Sequence, residues 1–400
     1  MRILHVIDSM NPSQGGPPSA VAGLAAAQAG LGNHVSIYSQ GSGETADVIE
    51  RSMHGMPGAD DVALLYCAPR NRVDRLLAMT ASNQLRSIVN SIDIVHIHGL
   101  WQPILSAAAN IGKENGLKYV ITPHGMLTPW SLAQKRYKKQ AALVFSWKKI
   151  LQEASFIHML SKEEEHESQV SGVTTPVEIM PNGIFDKKDN KKIIRAMPSF
   201  SECNITTGKP YILFIGRLHY VKGLDYLVNA FRQIAVFEKN IDLVIAGPDF
   251  GEKDKLLRLV EKYALGDRIH FIGAVYGEEK YQLFADALCL CQPSRQEGFS
   301  MTITEAMSMG LPVVITRTCR FPGVEEAGAG EVVDLDADGI SEALLKIIRD
   351  SDWRERAGRA ARELVLENYT WPRIAEKSIG AYTRVLSEDT KLSAQANGKH

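Results

Sequence analysis

Glu297 and Glu305 bracket the stretch EGFSMTITE, which carries a carboxylate, a glycine and then a second carboxylate further along. The apolar run Ala285 to Cys291 and the turn residues Pro293 and Ser294 come before it, so Glu297 is expected just past the C-terminal end of a buried strand. Gly298 permits a close backbone approach to a ligand. From Met301 the apolar residues Ile303, Ala306 and Met307 recur at helical spacing, until Gly310-Leu311-Pro312 stops the helix. The amides of Gly298, Phe299 and Ser300 would then lie at a helix N-terminus, where the dipole favours a phosphate or a sugar hydroxyl. By spacing alone, the two glutamates fit a capped, solvated helix equally well.

A second group of residues lies upstream, in YILFIGRLHYVKG from Tyr211 to Gly223. Ile212 to Ile215 reads as a buried parallel strand that ends in Gly216. Arg217 and Lys222 follow around a turn closed by Gly223, and Leu224, Leu227, Val228 and Phe231 mark an amphipathic helix. Strand, basic loop and helix in this order form the usual place for phosphate capture in an open α/β sheet. The Walker A order is missing, and so is a dinucleotide fingerprint. The other reading of this segment is two solvated cations in a surface loop.

The elements that must position these residues alternate along the whole chain. In the first half, strands are expected at about Arg2 to Ile7, Val35 to Tyr38, Ile94 to Ile97, Tyr119 to Ile121 and Phe156 to Met159. In the second half they are expected at Ile212 to Ile215, Leu243 to Ala246, Ile269 to Ile272, Ala287 to Cys291 and Val313 to Ile315. A lysine-rich stretch, Asp186 to Thr207, reads as the linker. After Trp353 the pattern is helical through Leu386, and the polar tail 387–400 is expected to be disordered. The chain has 400 residues, 45% hydrophobic and 23% charged, which suits two α/β domains with a core each. The absence of a run of eighteen apolar residues leads us to expect no signal peptide and no membrane span. Five cysteines without a CxxC pair point to reduced thiols and a cytoplasmic protein, and a net charge of −1 gives no sign of a nucleic-acid partner.

Taken in order, five features resemble the family 4 glycosyltransferases. They are Gly15-Gly16 after the first strand, Thr122-Pro123-His124-Gly125-Met126 after another, Pro181-Asn182-Gly183, the Arg217/Lys222 loop, and Glu297-Gly298-Phe299 with Glu305. The resemblance implies an α/β fold of two Rossmann-like domains facing across a cleft, the GT-B arrangement. Residues 1–190 would form the acceptor domain and 208–370 the nucleotide-sugar domain, with a helix at 371–386 crossing back onto the first. It also implies a retaining transfer of a hexose from a nucleotide diphosphate sugar, with no metal or other cofactor.

By the same resemblance, Glu305 takes the ribose hydroxyls, Glu297 the sugar hydroxyls, and Gly16 approaches the diphosphate. Arg217 and Lys222 suit the diphosphate because fixed cations there stabilise the departing charge. His124 is expected beside the transferred sugar, either positioning it or bonding a hydroxyl. The segment Phe271 to Lys280 lies where the family reads the base. Lys280 matches a lysine used for guanine, although Gly277 falls where an acid would strengthen that reading, so the donor leans to GDP-mannose over a UDP-hexose.

His96 and His98 could share one strand face, but no third ligand of suitable spacing is visible, so no metal site is expected. Asn182 reads as a turn residue with a hinge role, and Glu163-Glu164-Glu165 as the solvated face of a helix. Between Trp130 and Ile150, Lys135, Arg136, Lys138, Lys139, Lys148 and Lys149 interleave with Trp130, Tyr137, Phe145 and Trp147, with no acid. A basic aromatic helix of this kind suits an anionic membrane surface, and with it a lipid-linked glycan acceptor at the inner face of the cell membrane. Otherwise its aromatics enter the core. A non-hydrolysing sugar-nucleotide epimerase and a non-catalytic bilobed sugar binder remain as other readings.

Overall fold

Parallel strands with apolar residues on both faces dominate the structure, a computed structural model that describes residues 1–11, 15–41, 46–47, 49–50, 53–169, 172–186, 209–275 and 277–397. Contacts divide the chain into two compact units, Met1–Phe185 with Trp371–His400, and Asp186–Thr370. The expected linker beyond Asp186 lies outside the described residues.

The first unit is built on Arg2–Ser9 (β1), His34–Gln40 (β2), Val62–Cys67 (β3), Ile94–His98 (β4), Lys118–Thr122 (β5), Ile157–Met159 (β6) and Val177–Ile179 (β7). They pair in the order β3-β2-β1-β4-β5-β6-β7, every pairing parallel. Val95 and Ile97 of β4 join Leu4 and Val6 of β1 in an apolar core on one face. The alternation of strand side chains sends His5, His96 and His98 to the other face.

That other face is covered by helices Gly16–Gly30 and Trp371–Asn397. The two come close because Gly23 has no side chain: a Cβ there would meet the Trp371 indole at 2.1 Å. The C-terminal helix runs past the expected end at Leu386, through Asn397, in place of a disordered tail. Residues 387–397 contain good helix formers and no glycine or proline before Gly398, so propensity carries the helix on.

The second unit holds Tyr211–Ile215 (β8), Asp242–Ala246 (β9), Ile269–Gly273 (β10), Cys289–Gln292 (β11), Val313–Thr316 (β12) and Gly330–Val333 (β13). Their order is β10-β9-β8-β11-β12-β13, again all parallel. Chain direction from strand to strand reverses between β8 and β11, and in the first unit between β1 and β4. At such a switch point the following loops part and leave a crevice beyond the strand ends. Arg217 follows β8, Glu297 follows β11, and Gly15-Gly16 follows β1.

Candidate active site

In the second unit the two switch-point loops are locked together. Gly223 has φ 66°, and a Cβ there would lie 1.9 Å from the Pro293 carbonyl, so only glycine lets the turn after β8 touch the loop after β11. Arg295 fastens the same contact. Its guanidinium donates to both Asp225 carboxylate oxygens at 2.8 and 2.7 Å and lies over the Tyr220 ring at 3.9 Å. This arrangement brings the Lys222 ammonium onto Glu297 Oε1 as an ion pair with both side chains largely buried.

Ser294 Oγ also donates to Glu297 Oε1 at 2.7 Å, and Gln292 Nε2 donates at 3.3 Å. Burial alone would push the Glu297 carboxyl up. The Lys222 charge and the bonds from Lys222, Ser294 and Gln292 outweigh it, so the group is held below the usual carboxylate range. Glu297 is therefore an anion with a fixed orientation. Arg217, by contrast, is exposed, lies over the Phe250 ring at 5.2 Å, and makes no ion pair among the described residues.

The helix after Glu297 is Met301–Ser308, capped by Ser300 Oγ, which accepts from the Ile303 amide at 3.4 Å. Phe299 anchors the loop against Phe321 and Tyr369, at ring-centroid distances of 5.2 and 5.8 Å. Glu305 accepts from Lys280 at 2.7 Å, so these two expected donor-binding residues meet each other, apart from the Lys222–Glu297 pair. Tyr276, within the segment expected to read the base, lies outside the described residues.

In the first unit Gly15 caps the helix beginning at Gly16, with φ 105°, and a Cβ on Gly16 would meet nothing within 4 Å. His124 follows β5 in a turn closed by the Met126 amide on the Pro123 carbonyl at 3.1 Å. His124 and Gly125 both have positive φ, 51° and 76°. For histidine that conformation costs about 1–2 kcal/mol and needs outside support. The support is Glu164, whose carboxylate accepts from the Gly125 amide at 2.5 Å and the Leu160 amide at 2.7 Å.

Glu164 is thus not on a solvated face: it is 3% exposed. The legible signal is Ser161-x-x-Glu164, a capping-box pattern, and Ser161 Oγ does accept from the Glu164 amide at 3.1 Å. The expected basic helix of 130–150 is also divided. It forms Pro129–Ala133, Arg136–Ala142, a π turn Leu143–Trp147, and Lys148–Glu153, because Lys135 takes φ 53° and interrupts the run.

Behind His124 lies a buried layer of histidines. His98 Nδ1 is 3.2 Å from His124 Nε2, His98 Nε2 is 2.9 Å from His5 Nδ1, and His5 Nε2 is 2.7 Å from Gln28 Oε1. His96 contacts Thr122 Oγ1 at 2.7 Å and the Tyr382 hydroxyl at 2.6 Å. His5 is the third histidine that sequence spacing did not reveal, since it stands beside His96 in the register of β1 on β4. The three have ring nitrogens within 4.8 Å of one another, yet each of those nitrogens is engaged in one of these bonds, and a cation would have to break several of them.

The family model for glycosyl transferases group 1 matches residues 199–364, and that for a glycosyl transferase 4-like domain matches residues 15–183. The chain belongs to the group 1 glycosyltransferases. Among curated relatives of this glycosyltransferase, O-antigen chain mannosyltransferase B of Escherichia coli is 34% identical over 43% of this chain and 45% of its own length. The gpi3 subunit of phosphatidylinositol N-acetylglucosaminyltransferase from Schizosaccharomyces pombe is 25% identical over 76% of this chain and 64% of that protein. The chain thus spans less than two thirds of the length of either. Anabaena HepE, crystallised with UDP and glucose, superposes with a TM-score of 0.71 over 96% of this chain and all of that one at 18% identity, which shows that this glycosyltransferase has the GT-B fold.

Proposed function

We propose that the protein transfers a hexose, with retention of anomeric configuration, from a nucleotide diphosphate sugar to a glycan or lipid-linked acceptor in surface polysaccharide synthesis. The observation that carries this reading is the buried Lys222–Glu297 pair at the β8/β11 switch point, with Arg217 exposed beside the same strand ends. Cations there meet the diphosphate as it departs, and an oriented carboxylate holds hydroxyls of the sugar. Lys222 bonds to Glu297 until the ligand's phosphates compete for it. The transfer needs no metal in this scheme. A panel of nucleotide sugars tested for thermal stabilisation identifies the donor, because a ligand of the folded state raises the midpoint. GDP-mannose is expected to give the largest shift; a UDP-sugar is the second reading, favoured by the HepE complex with UDP.

The two carboxylates divide the donor between them. Glu305→Gln is expected to weaken the sugar nucleotide and the free nucleoside diphosphate alike. Glu297→Gln should slow transfer while leaving nucleoside diphosphate affinity nearly intact. Equal losses of diphosphate affinity in both variants would contradict the division, and an inverted product would refute the retaining reaction.

The acceptor reading rests on residues 130–150. Tyr137 and Phe145 are each 86% exposed and Val144 is 74% exposed, while Trp147 enters the core. Lys135, Arg136, Lys138, Lys148 and Lys149 are exposed with them. Apolar side chains flanked by cations suit the headgroup layer of an anionic bilayer. Among the described residues no helix is long and apolar enough to cross a membrane, so contact would be peripheral. Replacing those five cations with Gln should abolish most sedimentation with anionic vesicles, each being worth about 1 kcal/mol near the surface. Lys139 is left in place because it donates to the Ser131 carbonyl at 2.6 Å. If the unaltered protein stays in the supernatant at low salt, a soluble acceptor replaces the lipid-linked one.

A further inference from the structure

The hydrogen bonds behind His124 have a direction that can be worked out from one end. Ser378 Oγ, on the C-terminal helix, donates to the Ala375 carbonyl at 2.8 Å. Its proton is spent there, so toward Gln28 it can only accept, and the Gln28 group 2.8 Å away must be the amide nitrogen. Gln28 Oε1 therefore faces His5 Nε2, which must carry a hydrogen.

Burial holds His5 down to about 4, keeps His98 well below its ordinary value and lowers His124 as well, so all three rings are neutral near pH 7. A neutral imidazole has one N–H and one bare nitrogen. With its hydrogen on Nε2, His5 accepts at Nδ1, so His98 donates from Nε2. His98 then accepts at Nδ1, and His124 must donate from Nε2. The nitrogen left over is His124 Nδ1. It is the one ring nitrogen of these three residues without a partner among the described residues, and His124 is only half-buried.

We propose that Ser378, Gln28, His5 and His98 are positioning residues that hold His124 as its Nε2–H tautomer, so that its bare Nδ1 accepts a hydrogen bond from a hydroxyl of the bound sugar. The hydroxyl-bearing ligand rests on the proposed function; the tautomer does not. Without the chain, the imidazole could equally offer an N–H, which a sugar hydroxyl meets only through its oxygen and in a different orientation. The chain also gives Gln28 a purpose, since it is the one amide side chain in an otherwise alanine-rich, buried helix. The C-terminal helix becomes part of the site in the same unit, because the order of the bonds starts at Ser378.

Nitrogen NMR of histidine-labelled full-length protein tests this, with the His124 signals identified by their loss in His124→Gln. The expected result is a pyrrole-type Nε2 and a pyridine-type Nδ1 at His124. Gln28→Met removes the acceptor and strands a buried N–H at His5. Reversing every bond relieves it and moves the unpaired N–H to His124 Nδ1, where water reaches. The Nε2–H population at His124 should fall by about tenfold or more, the scale set by one unsatisfied buried donor. Gln28→Glu keeps an acceptor toward His5 and should restore the original order. Ser378→Ala leaves the Gln28 amide nitrogen only the longer bond to the Tyr382 hydroxyl at 3.4 Å and so loosens its orientation; should Gln28→Met fold poorly, it gives a second reading, a mixture of tautomers at His124. A protonated Nδ1 in the unaltered protein, or a His124 spectrum indifferent to both Gln28→Met and Ser378→Ala, overturns the proposal. Neither result depends on turnover, so failure of the tautomer chain and failure of the glycosyltransferase reading are seen separately.

Discussion

Lowering the pH from 7 to 4 is expected to unfold the first unit. His5 and His158 are buried, and burial brings each from the usual 6.5 to about 4. His96 and His98 are also lowered by burial, and further by the neighbouring histidines. A group whose folded pKa is depressed binds its proton in the unfolded chain first, so stability is complete above about pH 6.5 and drains away as the pH falls towards 4. His5 and His158 alone amount to about 3 kcal/mol each across that window. Their sum approaches the whole stability of an ordinary domain, about 5–15 kcal/mol. Glu164 works the other way, since burial raises its carboxyl, but it is one group against several.

Tryptophan fluorescence is a suitable monitor, because Trp101, Trp130, Trp147 and Trp371 lie in this unit and only Trp353 in the other. A cooperative red shift centred between pH 6.5 and 4 is expected, and His158→Gln should move the midpoint lower by removing one proton from the count. A fluorescence spectrum unchanged down to pH 4 would mean that the histidine layer is not held neutral by burial.

That layer marks the limit of what could be read from sequence. The strands that were legible are mostly interior ones, whose continuous apolar runs come from burial on both faces. The three that were not, β3, β7 and β13, are all sheet edges. β7 is three residues, VEI, with none buried, and carries no apolar run; β3 is a continuous apolar run, VALLYC, but only its two ends are buried, and at six residues its pattern alone does not separate a strand from a buried helix segment. The same logic applies to the candidate site. Arg217, Lys222, Glu297 and Glu305 were legible because each sits just after a strand or on the helix that follows it, and because their charges are out of keeping with the apolar runs around them. What spacing could not supply was their partners. Gln28 bonds to Ser378 across the length of the chain, and Arg295 reads as one more surface cation until Asp225 and Tyr220 are seen around it. Partners brought together by the fold leave no periodic trace.

The Lys222–Glu297 pair changes what substitution of the two cations should do. On the proposed function, Arg217→Ala and Lys222→Ala each remove a charge aimed at the departing diphosphate, and each should lower turnover at saturating donor by a factor on the order of a hundred or more. Their effects on folding should differ. Arg217 is exposed and, among the described residues, makes no ion pair, so its loss leaves no buried charge unpaired and the thermal midpoint should stay close to where it was. Lys222→Ala instead strands a buried carboxylate whose ionised form depends on that ammonium, and breaking such a pair from one side costs about 3–5 kcal/mol. Adding Glu297→Gln to Lys222→Ala removes the unpaired charge and should recover most of the midpoint, yet turnover should stay as low as in the single variant or fall further. Recovery of turnover along with stability would show that Lys222 acts only as a structural counter-ion to Glu297, and Arg217 would then be left as the sole candidate for the diphosphate.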